Sequence, residues 1–188
     1  MKRGSPKRKN QSKHTSRLYI AYGSNLNIEQ MNRRCPDAKI IGISEVKDYQ
    51  LMFRGSRLHA VATIEPAKGK SVPVLIWDLS KQDEASLDIY EGWPNFYRKE
   101  TMPVEMNGKQ ADAMIYLMND GYSMGIPSLM YLNTILDGYE SAGFDKAVLE
   151  EAVLLSIGHK PLDEAQEQQS KQALSEYPPE NSMNMEWL

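Results

Sequence analysis

The sequence predicts an α+β fold: a single compact domain built on a mixed β-sheet or small barrel with flanking helices. Three observations point there. About six strand-like segments occur in runs, with helices grouped after them instead of alternating in βαβ order. A length of 188 residues with 41% hydrophobic content suits one domain plus tails. No internal repeat breaks the chain into smaller units. The domain is expected over 17–160, preceded by a basic arm, 1–16, and followed by a polar tail, 161–188, that is weakly helical or disordered.

The elements follow in order. Leu18–Tyr22 (LYIAY) is short, apolar and stopped by Gly23, so it reads as a buried strand. Asn27 can cap a short helix running to about Arg34, with Glu29 favourable in its first turn and Pro36 ending it. Lys39–Phe53, rich in Ile, Val and Tyr, reads as a long or broken strand. His59–Ile64 and Val72–Leu79 read as two further strands, the first ended by Pro66.

Ser80, followed by Asp83 and Glu84, starts a helix that closes at Gly92. Phe96–Met106 and Gln110–Met118 flank Asn107-Gly108, the pair favoured in two-residue hairpin turns. From Ser128 the pattern is helical, with Leu129, Leu132, Ile135 and Leu136 on one face. A last helix, about 145–157, is expected to bury Val148, Leu149, Val153 and Leu154. Met102, Met106, Met114 and Met118 alternate along strands and read as packing.

Charge is distributed unevenly. Residues 1–17 hold seven Lys or Arg and no acid, which leaves 15 basic against 25 acidic residues in the remainder. The arm has no aromatic to stack on bases, so it reads as a solubilising tail and not as a nucleic-acid contact. No apolar run reaches the ~20 residues of a membrane span, and the first 17 residues offer no secretory signal. With Cys35 as the only cysteine, a reducing cytoplasmic setting is expected and a zinc site is not.

Two constellations carry chemistry. In Tyr22-Gly23-Ser24-Asn25-Leu26, a strand gives way to a capped helix, and successive N–H groups at such a junction make a concave donor set for a carboxylate, phosphate or oxyanion. No Gly-Lys-Ser/Thr follows, so it is not a Walker loop. In Leu87–Arg98 (LDIYEGWPNFYR), Glu91 closes a helix just before a cap glycine. The negative end of the helix dipole, with desolvation by Trp93, Phe96 and Tyr97, would raise its pKa toward neutrality, where a proton shuttle works best.

Taken together, the strand running into YGSNL, Ala62-Thr63-Ile64, LDIYEGWPNFYRK about 65 residues on, and Ala113–Met118 resemble the γ-glutamylcyclotransferase family in its AIG2-like branch. The resemblance spans roughly Leu18 to Phe144. It implies a compact mixed barrel around one cavity, with Tyr22, Gly23, Ser24, Asn25 and Leu26 as substrate-binding loop and Glu91 as the catalytic acid–base. Tyr97 and Tyr116 match tyrosines that line the family's pocket. The implied substrate is a small γ-glutamyl compound whose α-amine attacks its own γ-carbonyl, releasing 5-oxoproline and a free amine. Neither cofactor nor metal is needed. The loop donors suit either the oxyanion or a substrate carboxylate, and the leaving amine is open.

Three other readings are kept in view. Cys35 or Ser24 could be a nucleophile with His59 as base, but Ser24 lacks a nucleophile elbow and Cys35 has no neighbouring histidine. A non-catalytic module could hold γ-glutamyl or similar carboxylate ligands in the same cavity, although a buried carboxylate at Glu91 is costly to keep for binding alone. An RNA-associated protein would use the basic arm.

Overall fold

The computed structural model describes residues 16–106 and 108–158. The expectations for the polar tail, and for the basic arm apart from Ser16, lie outside these residues, as do those for Asn107. β1 (Arg17–Ala21) is the middle strand of the sheet. It pairs antiparallel with β3 (Ala60–Leu79), Tyr19 opposite Trp77, and parallel with β5 (Lys109–Met118), Tyr19 opposite Met114. Covered on both sides, Tyr19–Ala21 are buried, which is why the segment is an unbroken apolar run and not an alternating one.

β2 (Lys39–Gly55) flanks β3, and β4 (Tyr97–Met106) flanks β5, giving the order β2-β3-β1-β5-β4. The sheet is mixed and open, not a closed barrel. Its two edges still approach each other: Ser44 Oγ on β2 donates to the Glu105 carbonyl on β4 at 2.8 Å. Met106 pairs with Lys109, so the hairpin loop has two residues, and Gly108 takes the positive φ of 74° that such a turn requires.

One expectation about the strands is corrected. Pro66 does not end a strand, since β3 runs unbroken through it. Asp48 on β2 stands alone opposite residues 67–70 of β3, and the Gly69 N–H donates to Asp48 Oδ1 at 2.8 Å. This irregularity absorbs the missing proline donor without interrupting the strand.

Caps define the helices. Asn27 Oδ1 accepts from the Gln30 N–H at the start of α1 (Ile28–Arg34). Ser80 and Asp83 form a reciprocal capping box on α2 (Lys81–Glu91), which ends at Gly92 with φ 64°. Ser128 caps α3 (Leu129–Ala142), and α4 (Ala147–Gly158) packs on β2.

Two expected core residues face solvent. α3 buries Thr134, Ile135, Gly138 and Tyr139, which leaves Leu129, about a third of a turn off the Ile135 direction, 78% exposed. α4 buries Leu149, Ala152 and Ser156 at helical spacing, which turns Leu154 outward.

Gly138 sets where α3 lies. A Cβ there would meet the Leu26 Cβ at 2.5 Å and the Leu26 backbone carbon at 2.8 Å. The helix can therefore rest directly on the chain leaving β1.

Candidate functional site

The site begins where β1 ends. Tyr22 is buried, and its hydroxyl donates to the Tyr116 carbonyl at 2.6 Å, tying the strand end to β5. Gly23 has φ −115°, so no left-handed conformation demands glycine there. Space does: a Cβ would lie 3.1 Å from the Ala62 Cβ and 3.5 Å from the Tyr131 hydroxyl. Ser24–Leu26 then form a single 3₁₀ turn, closed by Leu26 N–H to the Gly23 carbonyl and Asn27 N–H to the Ser24 carbonyl, both 3.0 Å. The Ser24 and Asn25 amides precede these bonds and are the orphan donors of a helical start.

α2 brings Glu91 to the same place from the other side. The Asn25 Nδ2 donates to Glu91 Oε1 at 2.7 Å and to the Tyr19 hydroxyl at 2.8 Å, and Asn25 Oδ1 accepts from Arg34. Burial pushes the Glu91 carboxyl up to about 7, against the charge of Arg34 and the Asn25 hydrogen bond, which both lower it. The desolvation comes from tyrosines more than from the aromatics expected along the sequence. Tyr97 lines the site, whereas Trp93 is 46% exposed.

Tyr19, Tyr22, Tyr97, Tyr116 and Tyr131 surround the carboxylate. Burial raises all five phenols, so they stay protonated and act as hydrogen-bonding walls. The Tyr97 hydroxyl donates to the Ala62 carbonyl and the Tyr116 hydroxyl to Asp88 Oδ1, each at 2.6 Å, while the Tyr131 hydroxyl accepts from the Ala62 N–H at 3.0 Å. Ser24 Oγ lies 3.0 Å from the Tyr90 hydroxyl. The cavity between them is about 20 Å³, room for one water. A larger groove, about 850 Å³, lies elsewhere, between the β2 and β4 edges beside Ile43, Val46 and Met102, and contains none of the predicted site residues.

Of the residues singled out from sequence, Tyr22, Gly23, Ser24, Asn25, Glu91, Tyr97 and Tyr116 converge on this cavity. Leu26 does not line it: it is fully buried beneath Gly138 of α3. Sequence reading missed Tyr19, Ala62 and Tyr131 in the lining and Arg34 behind Asn25. Tyr19 had a signal, sitting in the same apolar strand as Tyr22. Nothing local placed α3, and with it Tyr131, over β3.

The nucleophile alternatives find no support in the geometry. Cys35 is buried, its Sγ donates to the Asp83 carbonyl at 3.6 Å, and burial together with the Asp83 charge pushes the thiol up to about 12. His59 is exposed. Among the described residues no three His, Cys, Asp or Glu side chains cluster as metal ligands would, and no helix is long and apolar enough to cross a membrane.

Comparison with known proteins follows the same region. Residues 19–133 match the family model described as gamma-glutamyl cyclotransferase, AIG2-like. A gamma-glutamylcyclotransferase of Homo sapiens is 31% identical over 135 residues, covering 67% of this chain and 71% of the human protein. That of Mus musculus is 30% identical over 142 residues, covering 71% of this chain and 75% of its own. A solved structure of a gamma-glutamyl cyclotransferase superposes with a TM-score of 0.64 at 28% identity, covering 84% of this chain and 99% of its own.

Proposed function

The chain belongs to the γ-glutamylcyclotransferase family of enzymes, AIG2-like branch, and on that premise we propose that it cyclises a small γ-glutamyl compound to 5-oxoproline and a free amine, with Glu91 as acid–base. The observation that carries this reading is the Glu91 carboxyl, held 2.7 Å from Asn25 on the facing loop and pushed up to about 7 inside a ring of neutral phenols.

The chemistry follows from the substrate. Attack of the α-amine on the γ-carbonyl closes a five-membered lactam, so both reactants are already on one molecule, and the enzyme's task is to hold the folded conformer. The α-ammonium must lose a proton before attack, and the departing nitrogen must gain one. A carboxylate titrating near neutrality does both, at a typical gain of ~10²–10⁴-fold. As the tetrahedral centre forms, charge develops on the carbonyl oxygen. The Ser24 and Asn25 amides supply donors suited to it, and one such donor is worth roughly 3–4 kcal/mol. The five tyrosines keep bulk water away, which strengthens each of these interactions.

With room for about one water as it stands, the cavity would seat a glutamyl group by side chains moving apart. The Asn25–Glu91 bond is the natural one to open, because a substrate ammonium brings Glu91 its own donors. The test is incubation with a panel of γ-glutamyl amino acids, γ-glutamyl peptides and γ-glutamyl amines, with 5-oxoproline detected by mass spectrometry. Formation of 5-oxoproline from at least one member, lost in Glu91→Gln, is expected. Tight binding of a panel member with no 5-oxoproline would favour the non-catalytic binding module instead.

A further inference from the structure

The two arginines that end α1 behave differently. Arg33 pairs with Glu29 one turn earlier along the exposed side of its own helix, as an ordinary surface ion pair does. Arg34 turns inward. Its guanidinium lies over the Tyr90 ring, 3.3 Å from the ring centre, and donates through Nη1 to Asn25 Oδ1, nine residues back and on the far side of the turn.

That contact settles which way the Asn25 amide points. Arginine can only donate, so the Asn25 atom meeting it must be the oxygen. Both hydrogens of Nδ2 are then directed the other way, one to Tyr19 and one to Glu91. Flipped, Asn25 would set its amino group against a guanidinium and its oxygen against a carboxylate, two repulsive contacts replacing two attractive ones.

We infer that Arg34 is a positioning residue for the Glu91 acid–base: clamped over Tyr90, it orients Asn25 toward the carboxylate and supplies the positive charge that keeps Glu91 able to ionise. The inference rests on the cyclotransferase reading for its functional meaning. Its physical content does not. The groups facing Glu91 from the surrounding elements are Tyr19 and Tyr22 from β1, Asn25 from the 3₁₀ turn, Tyr97 and Tyr116 from β4 and β5, and Tyr131 from α3. These phenols are neutral, and the Cys35 thiol behind Arg34 is held protonated as well. Among the described residues Arg34 is therefore the full charge that acts on Glu91. Arginine suits the task better than lysine, because a planar fork can stack on a ring and hydrogen-bond at its edge at once.

The experiment compares wild type, Arg34→Gln and Arg34→Lys by carboxyl-carbon NMR titration of Glu91 and by kcat/KM against pH with a turned-over γ-glutamyl compound. In Arg34→Gln the Glu91 midpoint and the acidic limb should both rise by about 1 pH unit. Activity should fall about fivefold at pH 7 and return toward wild type above pH 9. Arg34→Lys should lie between the two and guards against loss of fold in the glutamine variant. In an Asn25→Ala background the effect of Arg34→Gln should shrink, because the group it orients is gone. An unmoved Glu91 midpoint in folded variants, or an activity loss equal at every pH, would overturn the inference. So would an undiminished effect without Asn25. The NMR midpoint needs no turnover, so a wild type that makes no 5-oxoproline would sink the cyclotransferase reading and leave the Arg34 result standing.

Discussion

Replacing Glu91 by glutamine should make the protein more stable at neutral pH while disabling it. The folded carboxyl is pushed up to about 7 from an ordinary value of 4.5, mainly by burial. Between those values the folded state keeps its proton and the unfolded state has released it. Stability therefore falls as pH rises through that window, and the loss is complete above the folded value. A gap of about 2.5 pH units at 1.36 kcal/mol each amounts to about 3 kcal/mol of destabilisation at pH 8. Glutamine does not ionise. Its carbonyl can still accept from Asn25, but its amino group brings a donor with no obvious acceptor, at about 1 kcal/mol. The expected net is a variant about 2 kcal/mol more stable than wild type at pH 8, and equal or slightly less stable at pH 5. Urea denaturation of both proteins across pH 5–8 measures this, and the difference between them cancels groups common to both, such as Glu84, which the Lys99 and Arg17 contacts hold below its usual value. A stability difference that stays flat across that range would refute the assignment of a desolvated carboxyl at Glu91.

Further outcomes are open to the same kind of check. Glu91→Gln should lower kcat by ~10²-fold or more with KM little changed, in steady-state assays of 5-oxoproline release. Gly23→Val should cost about 1–3 kcal/mol in denaturant unfolding, because its side chain would press on Ala62 and the Tyr131 hydroxyl. A loss of ligand affinity with stability intact would instead mean that the glycine serves ligand approach alone. Gly138→Ala raises helix propensity yet should lower the melting temperature, since the new Cβ would meet Leu26 side chain and backbone within 3 Å. A raised melting temperature would show that α3 does not rest on the turn.

Much of the site was legible because its pieces obey short-range rules. Asn27, Ser80 with Asp83, and Ser128 cap helices as their sequence positions announce, and Gly92 takes the left-handed φ that a helix-ending glycine allows. Glu91 falls at the end of α2 for that reason alone. The places where reading failed are those where a distant partner outweighs a local preference. Pro66 should stop a strand, but a bulge opposite Asp48 carries β3 past it. Leu129 and Leu154 belong by composition to a core and are exposed, because neighbouring residues took the buried stripe.

Sequence alone thus determined the α+β class, the capped helix starts and the hairpin, which rest on backbone and capping preferences that act over a few residues, and, through the family resemblance, the pair of segments, Tyr22–Leu26 and Glu91, around which the chemistry is proposed. Tertiary structure alone decided that β1 lies between β3 and β5, that the sheet stays open, and that Tyr19, Tyr131 and Arg34 join the site. Those outcomes depend on which surfaces bury one another across 60 to 110 positions, as the Asn25–Glu91 and Gln30–Thr134 bonds do. The perturbed carboxyl at Glu91 belongs to the second group as well, because it takes β1, β3, β4, β5, α2 and α3 packed together to remove the water that would otherwise hold it near 4.5.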